Sequence, residues 1–189
     1  MKFRELVVQR NFIAILFYIQ LLLSTEAFAA WTSDVSQYHE EYLLSLLAEV
    51  QARGEQHIVP FSTDGCSGGL SAGWSYLAKH FASFAENYGE SPPWEYCCVN
   101  HDLVYWKGEI NNGYQLRKQA DQTLRQCVID HGVINSVNYA RQTGKSQQDI
   151  EESFRLIANL MYNTIRVGGR PCSVFKWRWG YGWPLCEWY

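Results

Sequence analysis

The chain has 189 residues, 47% of them hydrophobic, enough apolar surface for a packed core, and a formal charge of −3. A mildly acidic chain offers no electrostatic case for binding nucleic acid or a strongly anionic membrane, since both are polyanions. It shows no repeats or low-complexity linkers, which excludes repeat arrays and argues for one domain.

In chain order, Lys2, Arg4 and Arg10 precede an apolar run, Phe12 to Leu23, broken only by Gln20, and Ala27-Phe28-Ala29 offers a small-x-small cleavage site. This is the pattern of a secretory signal peptide over 1–29. The run falls short of the roughly 20 residues a bilayer span needs, which weighs against an uncleaved anchor. A single mature domain, 30–189, is expected, secreted or periplasmic. Losing three cations and two anions with the signal takes its charge from −3 to −4.

Helices follow by apolar period. Val35, Tyr38, Tyr42, Leu43, Leu46, Leu47 and Val50 form one stripe, with Ser33 or Asp34 as N-cap and Gly54 as its end. Trp74, Leu77, Ala78, Phe81, Ala85 and Tyr88 form a second, closed by Gly89. Pro92-Pro93 opens a third helix, which carries His101. Asn111-Asn112-Gly113 marks a turn. A fourth helix is predicted from about Tyr114 to His131, a polar loop over Arg141 to Gln148, and a last helix from Gln147 to Val167, ending at Gly168-Gly169. In the tail, Phe175, Trp177, Trp179, Tyr181 and Trp183 alternate with Lys176, Arg178, Gly180 and Gly182. Period two predicts an extended segment with five aromatics on one face. That face either packs on the helices or forms an interfacial lipid or ligand surface. The predicted class is mainly α.

All six cysteines follow the signal, and an even count in an exported chain argues for three disulfides. Cys172 and Cys186 flank the tail and are expected to close it as a loop. On a helix, Cys97, His101 and Tyr105 share one face, and Cys98 and Asp102 the next. If this helix folds back on the following one through the Asn-Asn-Gly turn, facing residues keep a constant index sum. That sum is 222 for His101 with Asp121 and 224 for both Cys97 with Cys127 and Val104 with Ala120. One register therefore brings an acid to the histidine and pairs Cys97 with Cys127. Cys98 is then left for Cys66, pinning the Gly-rich stretch Ser62 to Gly69 beside Asp102. Backbone carbonyls plus carboxylate oxygens suit a hard cation such as calcium. Zinc held by Cys97, Cys98 and His101 is the alternative, but there is no CxxC knuckle and an oxidising compartment disfavours thiolates.

The pattern Cys-Cys-x-x-His-Asp-x-x-Tyr, with Asp121 six residues before Cys127, resembles the active-site helices of the secreted phospholipase A2 family. The resemblance covers roughly Thr63 to Cys127, with a gap. It implies a disulfide-bonded helical fold built on two antiparallel active-site helices, and a calcium-dependent enzyme that releases a fatty acid from phospholipid at a membrane or micelle surface. His101 would be the general base and Asp121 its orienting acid, with Tyr105 hydrogen-bonded to Asp121. Asp102 and the carbonyls of Gly65, Ser67 and Gly69 would hold calcium, which with a loop amide would stabilise the oxyanion.

The chain departs from that family in several places. Val104 and Ala120 stand where the family usually has a disulfide, so an apolar contact is expected to replace it. The β-hairpin between the two helices is missing, as in the compact bacterial and fungal branch. Ser67 stands where Gly is usual, and an aromatic usual near Asp64 is missing. Leu70 to Glu95 inserts a helix that either caps the cleft as a lid or enlarges the core. Two rival readings remain. Gly65-Cys66-Ser67-Gly68-Gly69 fits the nucleophile elbow of a serine hydrolase, with a later Asp and His131 as partners, but that elbow must follow a strand. The other rival is a catalytically silent lipid- or protein-binding module or toxin. His39, His57, His80 and His131 have no partner at a meaningful spacing and read as structural or solvent-exposed. No partner protein is inferable.

Overall fold

The computed structural model describes residues 36–53, 58–66, 70–80, 86 and 89–186. By its contacts the chain divides into two units, Met1–His39 and Glu40–Tyr189. Of the first unit only 36–39 are described, a helical turn, so the expected signal peptide lies outside the described residues. The described residues form helices α1 (36–52), α2 (Leu70–His80), α3 (Glu95–Lys107), α4 (Gly113–Thr143) and α5 (Gln147–Gly168), with no strand among them. No described helix is long and apolar enough to cross a membrane.

Helix α1 buries Leu43, Leu44 and Leu47 together with Glu40, while Tyr42 is 55% exposed and Tyr38 78%. The expected stripe is thus rotated. Glu40 must face inward to meet Arg117, and positions 40, 43/44 and 47 follow it onto that face. Helix α2 begins at Leu70, four residues before the expected start, and its described part joins the core rather than the cleft. Trp74 packs edge-on against Trp94, whose ring also meets Phe154 edge-on.

Helices α3 and α4 form the hairpin read from spacing. Gly108 (φ 59°) ends α3, and Asn112 (φ 57°), also left-handed, precedes α4. Helix α4 continues twelve residues past the expected end at His131, stopping at Gly144 (φ 70°). Its buried stripe carries on through Gly132 and Ser136, so the polar stretch after Arg141 is mostly helix. The loop shrinks to 144–146, and the Ser146 hydroxyl caps α5 by accepting from the Asp149 N–H at 3.1 Å. Antiparallel α4 and α5 meet through Gly132, where a Cβ would lie 2.3 Å from the Phe154 ring.

Three disulfides join Cys66 to Cys98, Cys97 to Cys127 and Cys172 to Cys186, and no cysteine is free. These are the pairs expected from the sequence. With Cys97 and Cys98 both bridged, the zinc reading loses its thiolates.

The tail is not an extended strand with aromatics on one face. Successive turns fold it, from Arg178 N–H to the Phe175 carbonyl, Tyr181 N–H to Arg178 and Trp183 N–H to Gly180. Gly180 adopts φ 75°. The side chains therefore diverge, with Trp179 fully buried and Phe175 47% exposed. The folded form wins because it satisfies the end of α3. The last four carbonyls of a helix lack intrahelical donors. Here Val104 receives the Gly108 N–H at 3.4 Å, Tyr105 the Gly180 N–H at 2.7 Å, and Trp106 the Gly182 N–H at 3.1 Å. Lys107 receives the Trp183 indole N–H at 2.8 Å. Gly108 and Gly180 touch backbone to backbone, since a Cβ on Gly108 would lie 2.2 Å from the Gly180 Cα.

Candidate functional site

His101 and Asp121 lie across the α3–α4 interface, held from one side by the Cys97–Cys127 bridge. The Nε2 of His101 is 2.9 Å from the Oδ1 of Asp121. Tyr105, one turn further along α3, donates its hydroxyl to the same oxygen at 2.6 Å. The other carboxylate oxygen accepts from Arg166 Nη1 at 2.9 Å. Asp121 is completely buried and both its oxygens are occupied.

Behind it stands a charge network that sequence reasoning missed. Arg117, fully buried, donates through Nε and Nη2 to the two oxygens of Glu40 at 2.6 and 2.5 Å. Its Nη1 reaches the Tyr105 hydroxyl at 3.1 Å and lies 3.6 Å from Asp121 Oδ2. Arg166 bridges Asp121 and Glu40, with Nη2 at 3.1 Å from Glu40 Oε2. Two carboxylates and two guanidinium groups balance, which a dry interior requires. One signal pointed to Arg117, its position one turn before Asp121 on the same helix. Glu40 and Arg166 gave none, because their partners lie 77 and 45 residues away.

The network sets protonation. For Asp121, burial alone pushes the pKa up, but the His101 hydrogen bond and the charges of His101 and Arg117 outweigh it and hold the group below its ordinary 3.8. Burial, reinforced by the negative charge of Asp121, drives Tyr105 far above its ordinary 10, so it remains a hydroxyl donor. For His101, burial pushes down, but attraction to Asp102 and Asp121 wins and raises the imidazole above 6.5. The Nδ1 to Asp102 Oδ1 distance of 3.7 Å is too long for a hydrogen bond, so Asp102 acts through its charge. An ionised Asp121 selects the tautomer with hydrogen on Nε2, an assignment made from the hydrogen-bond network.

Asp102 is buried and turns toward the loop before α2. Thr63 donates its hydroxyl to Asp102 Oδ2 at 2.6 Å and accepts the Gly65 N–H at 3.1 Å. The Cys66–Cys98 bridge fixes the same loop. Gly65 sits at φ 79° with Glu95 and Ser71 against it, so a side chain there would be strained and crowded. Ser67 and Gly69 lie outside the described residues. Among the described residues no three His, Cys, Asp or Glu side chains converge, so a cation here would draw on backbone carbonyls beside Asp102.

A cleft of about 320 Å³ opens at His101 between α3 and α4, lined by Asn100, Val104, Leu116, Ala120 and Leu124 among others. Val104 and Ala120 both face it, as the index sum places them. No described residue of the insertion 70–95 lines it. Nothing in 58–66 is a strand, so the elbow context for Ser67 is missing. His131, its suggested partner, lies 3.1 Å from the Tyr139 hydroxyl. No family model, curated protein or solved structure matches this chain.

Proposed function

We propose that the protein is a calcium-dependent esterase of phospholipase A2 type, releasing a fatty acid from phospholipid. The observation that carries this reading is the His101 Nε2 to Asp121 Oδ1 contact of 2.9 Å, with His101 lining a largely apolar cleft. Asp121 takes the Nε2 proton's hydrogen bond and leaves Nδ1 with its lone pair. His101 Nδ1 removes a proton from water as the water oxygen bonds to the acyl carbonyl carbon. When the tetrahedral intermediate collapses, the ester C–O bond breaks and the imidazolium returns its proton to the departing alkoxide. Asp121, Tyr105 and Arg166 hold the ring in place and stabilise its cationic form without themselves changing protonation. Asp102, with the carbonyls of Gly65, Ser67 and Gly69, would hold calcium, which when bound would supply positive charge for the oxyanion. The apolar cleft walls suit an acyl chain.

The test is fatty-acid release from mixed phospholipid vesicles by the disulfide-intact mature chain, with calcium and then with chelator. Release that stops on chelation and is lost in His101→Gln supports the reading. His101→Gln should retain calcium binding, because the ring is not a ligand, and Asp102→Asn should lose both. Release that survives chelator but not a serine-reactive phosphonate would overturn it in favour of Ser67.

A further inference from the structure

A second hollow, of about 350 Å³, lies between the stretch before α2 and the tail. Its walls come from two chain segments. Ser62, Thr63 and Asp64 form one, and Lys176, Arg178 and Tyr181 the other, with Trp177 beside them. The segments are tied together, because the Tyr181 hydroxyl donates to the Ser62 carbonyl at 2.7 Å. The hollow is therefore framed by two tethered segments, with Ser62, Thr63, Asp64 and Lys176 exposed around it.

Its two cations share the hollow with one carboxylate, Asp64, but are not in direct contact with it. Lys176 and Arg178 form no ion pair with any described residue. The side chain of Arg178 makes one hydrogen bond, from Nη2 to the Trp183 carbonyl at 2.6 Å. That bond orients a guanidinium with five N–H donors and leaves the rest available. Arg178 is half-buried, and burial pushes its pKa down. Arg117 and Arg166, by contrast, are each paired with carboxylates. Guanidinium and ammonium together suit a phosphoryl group, the first by its planar fork and the second as a point charge. Asp64 on the opposite lip disfavours a second negative charge in the ligand, so a phosphodiester monoanion fits better than a phosphate dianion.

We infer that the hollow between Ser62–Asp64 and Lys176–Arg178 is a binding site for a phosphodiester monoanion, gripped by Lys176 and Arg178. The same chemistry is offered by a phospholipid headgroup and by a soluble glycerophosphodiester. Binding is read without turnover, so the site stands or falls apart from the esterase reading.

The experiment is a titration of the disulfide-intact mature chain, in calcium-free buffer, with sn-glycero-3-phosphocholine, followed by the Trp177 indole N–H and Arg178 Nε–H resonances. Sedimentation with phosphatidylcholine vesicles runs in parallel. A saturable shift whose affinity falls at least fivefold in Lys176→Gln and in Arg178→Gln is the expected result. Vesicle binding that falls fivefold in both variants, with no response to the soluble diester, identifies a lipid headgroup as the source. Absence of binding to both probes overturns the inference, as does binding that is the same in wild type and Lys176→Gln for every probe that binds. The Lys176 variant carries the decision, because that side chain is exposed and makes no structural hydrogen bond, whereas Arg178→Gln also removes the anchor on Trp183.

Discussion

Removing the carboxylate of Glu40 would leave Arg117 and Arg166 facing Asp121 alone, with one positive charge unbalanced in a dry interior. Breaking one partner of a buried ion pair costs about 3–5 kcal/mol, more than the pair itself contributes over an apolar replacement. Glu40→Gln should lower unfolding free energy by that order in urea titration, and Glu40→Gln combined with Arg117→Met should recover part of the loss. A loss below about 1 kcal/mol, the range of surface pairs, would mean that water reaches the network. Asp121 gives a second expectation with a definite sign. Its folded pKa lies below its ordinary 3.8, so the stability it confers is fully present above that value and fades as pH falls through the folded value. Wild-type protein should therefore lose more stability than Asp121→Asn as pH drops below about 4, measured by urea midpoints across pH. Equal acid slopes in the two would show that the folded pKa is not depressed. At this scale the His101–Asp121 pair was legible, because a hairpin fixes one register and the cysteines mark it. Glu40 and Arg166 were not, since nothing local distinguishes a buried glutamate or arginine from a solvated one.

Among the elements, the α4–α5 contact depends on a missing side chain. At Gly132 a Cβ would fall 2.3 Å from Phe154, so Gly132→Ala must push the ring or the helices apart. Overpacking of this kind costs about 1–3 kcal/mol despite the better helix propensity of alanine, and a lowered thermal midpoint is the check. An unchanged or raised midpoint would mean that the helices can part without penalty. Helix existence was readable from the apolar period, while the caps expected for α1 at Ser33 or Asp34 and Gly54 lie outside the described residues, and α3 and α5 start and stop within two residues of expectation apart from the start of α3 after Pro92-Pro93. The length of α4 was not: the expected helix ends at about His131, whereas Gly132 just beyond it acts in space as a contact. The face of α1 was misjudged for a related reason. Tyr38 and Tyr42 look like core by hydropathy, but an inward Glu40 outweighs them. The tail failed most clearly. Alternation of aromatics signals a strand only where another strand is available to pair with, and here the nearest unsatisfied groups are the carbonyls ending α3.

At the scale of the whole molecule, α3 is clamped at both ends by different means. Covalent bonds at Cys97 and Cys98 fix its start, and the folded tail satisfies its last carbonyls. The tail in turn is closed by Cys172–Cys186, a loop of 14 residues for which the chain-entropy estimate is about 3 kcal/mol. The Cys97–Cys127 bridge, with a separation of 30, is worth about 3–4 kcal/mol on the same estimate. Similar energies should nevertheless have different local signatures. Replacing Cys172 and Cys186 by serine should speed amide exchange at Gly180 and Gly182, whose N–H groups bond the Tyr105 and Trp106 carbonyls, while the start of α3 stays protected. Replacing Cys97 and Cys127 should loosen the start of α3 and the His101–Asp121 pairing, leaving Gly180 and Gly182 slow. Hydrogen exchange followed residue by residue distinguishes the two. If either double variant loosened both ends equally, the helix would be one cooperative unit with its ends not separately held, and the tail would then act on His101 from the far end of α3.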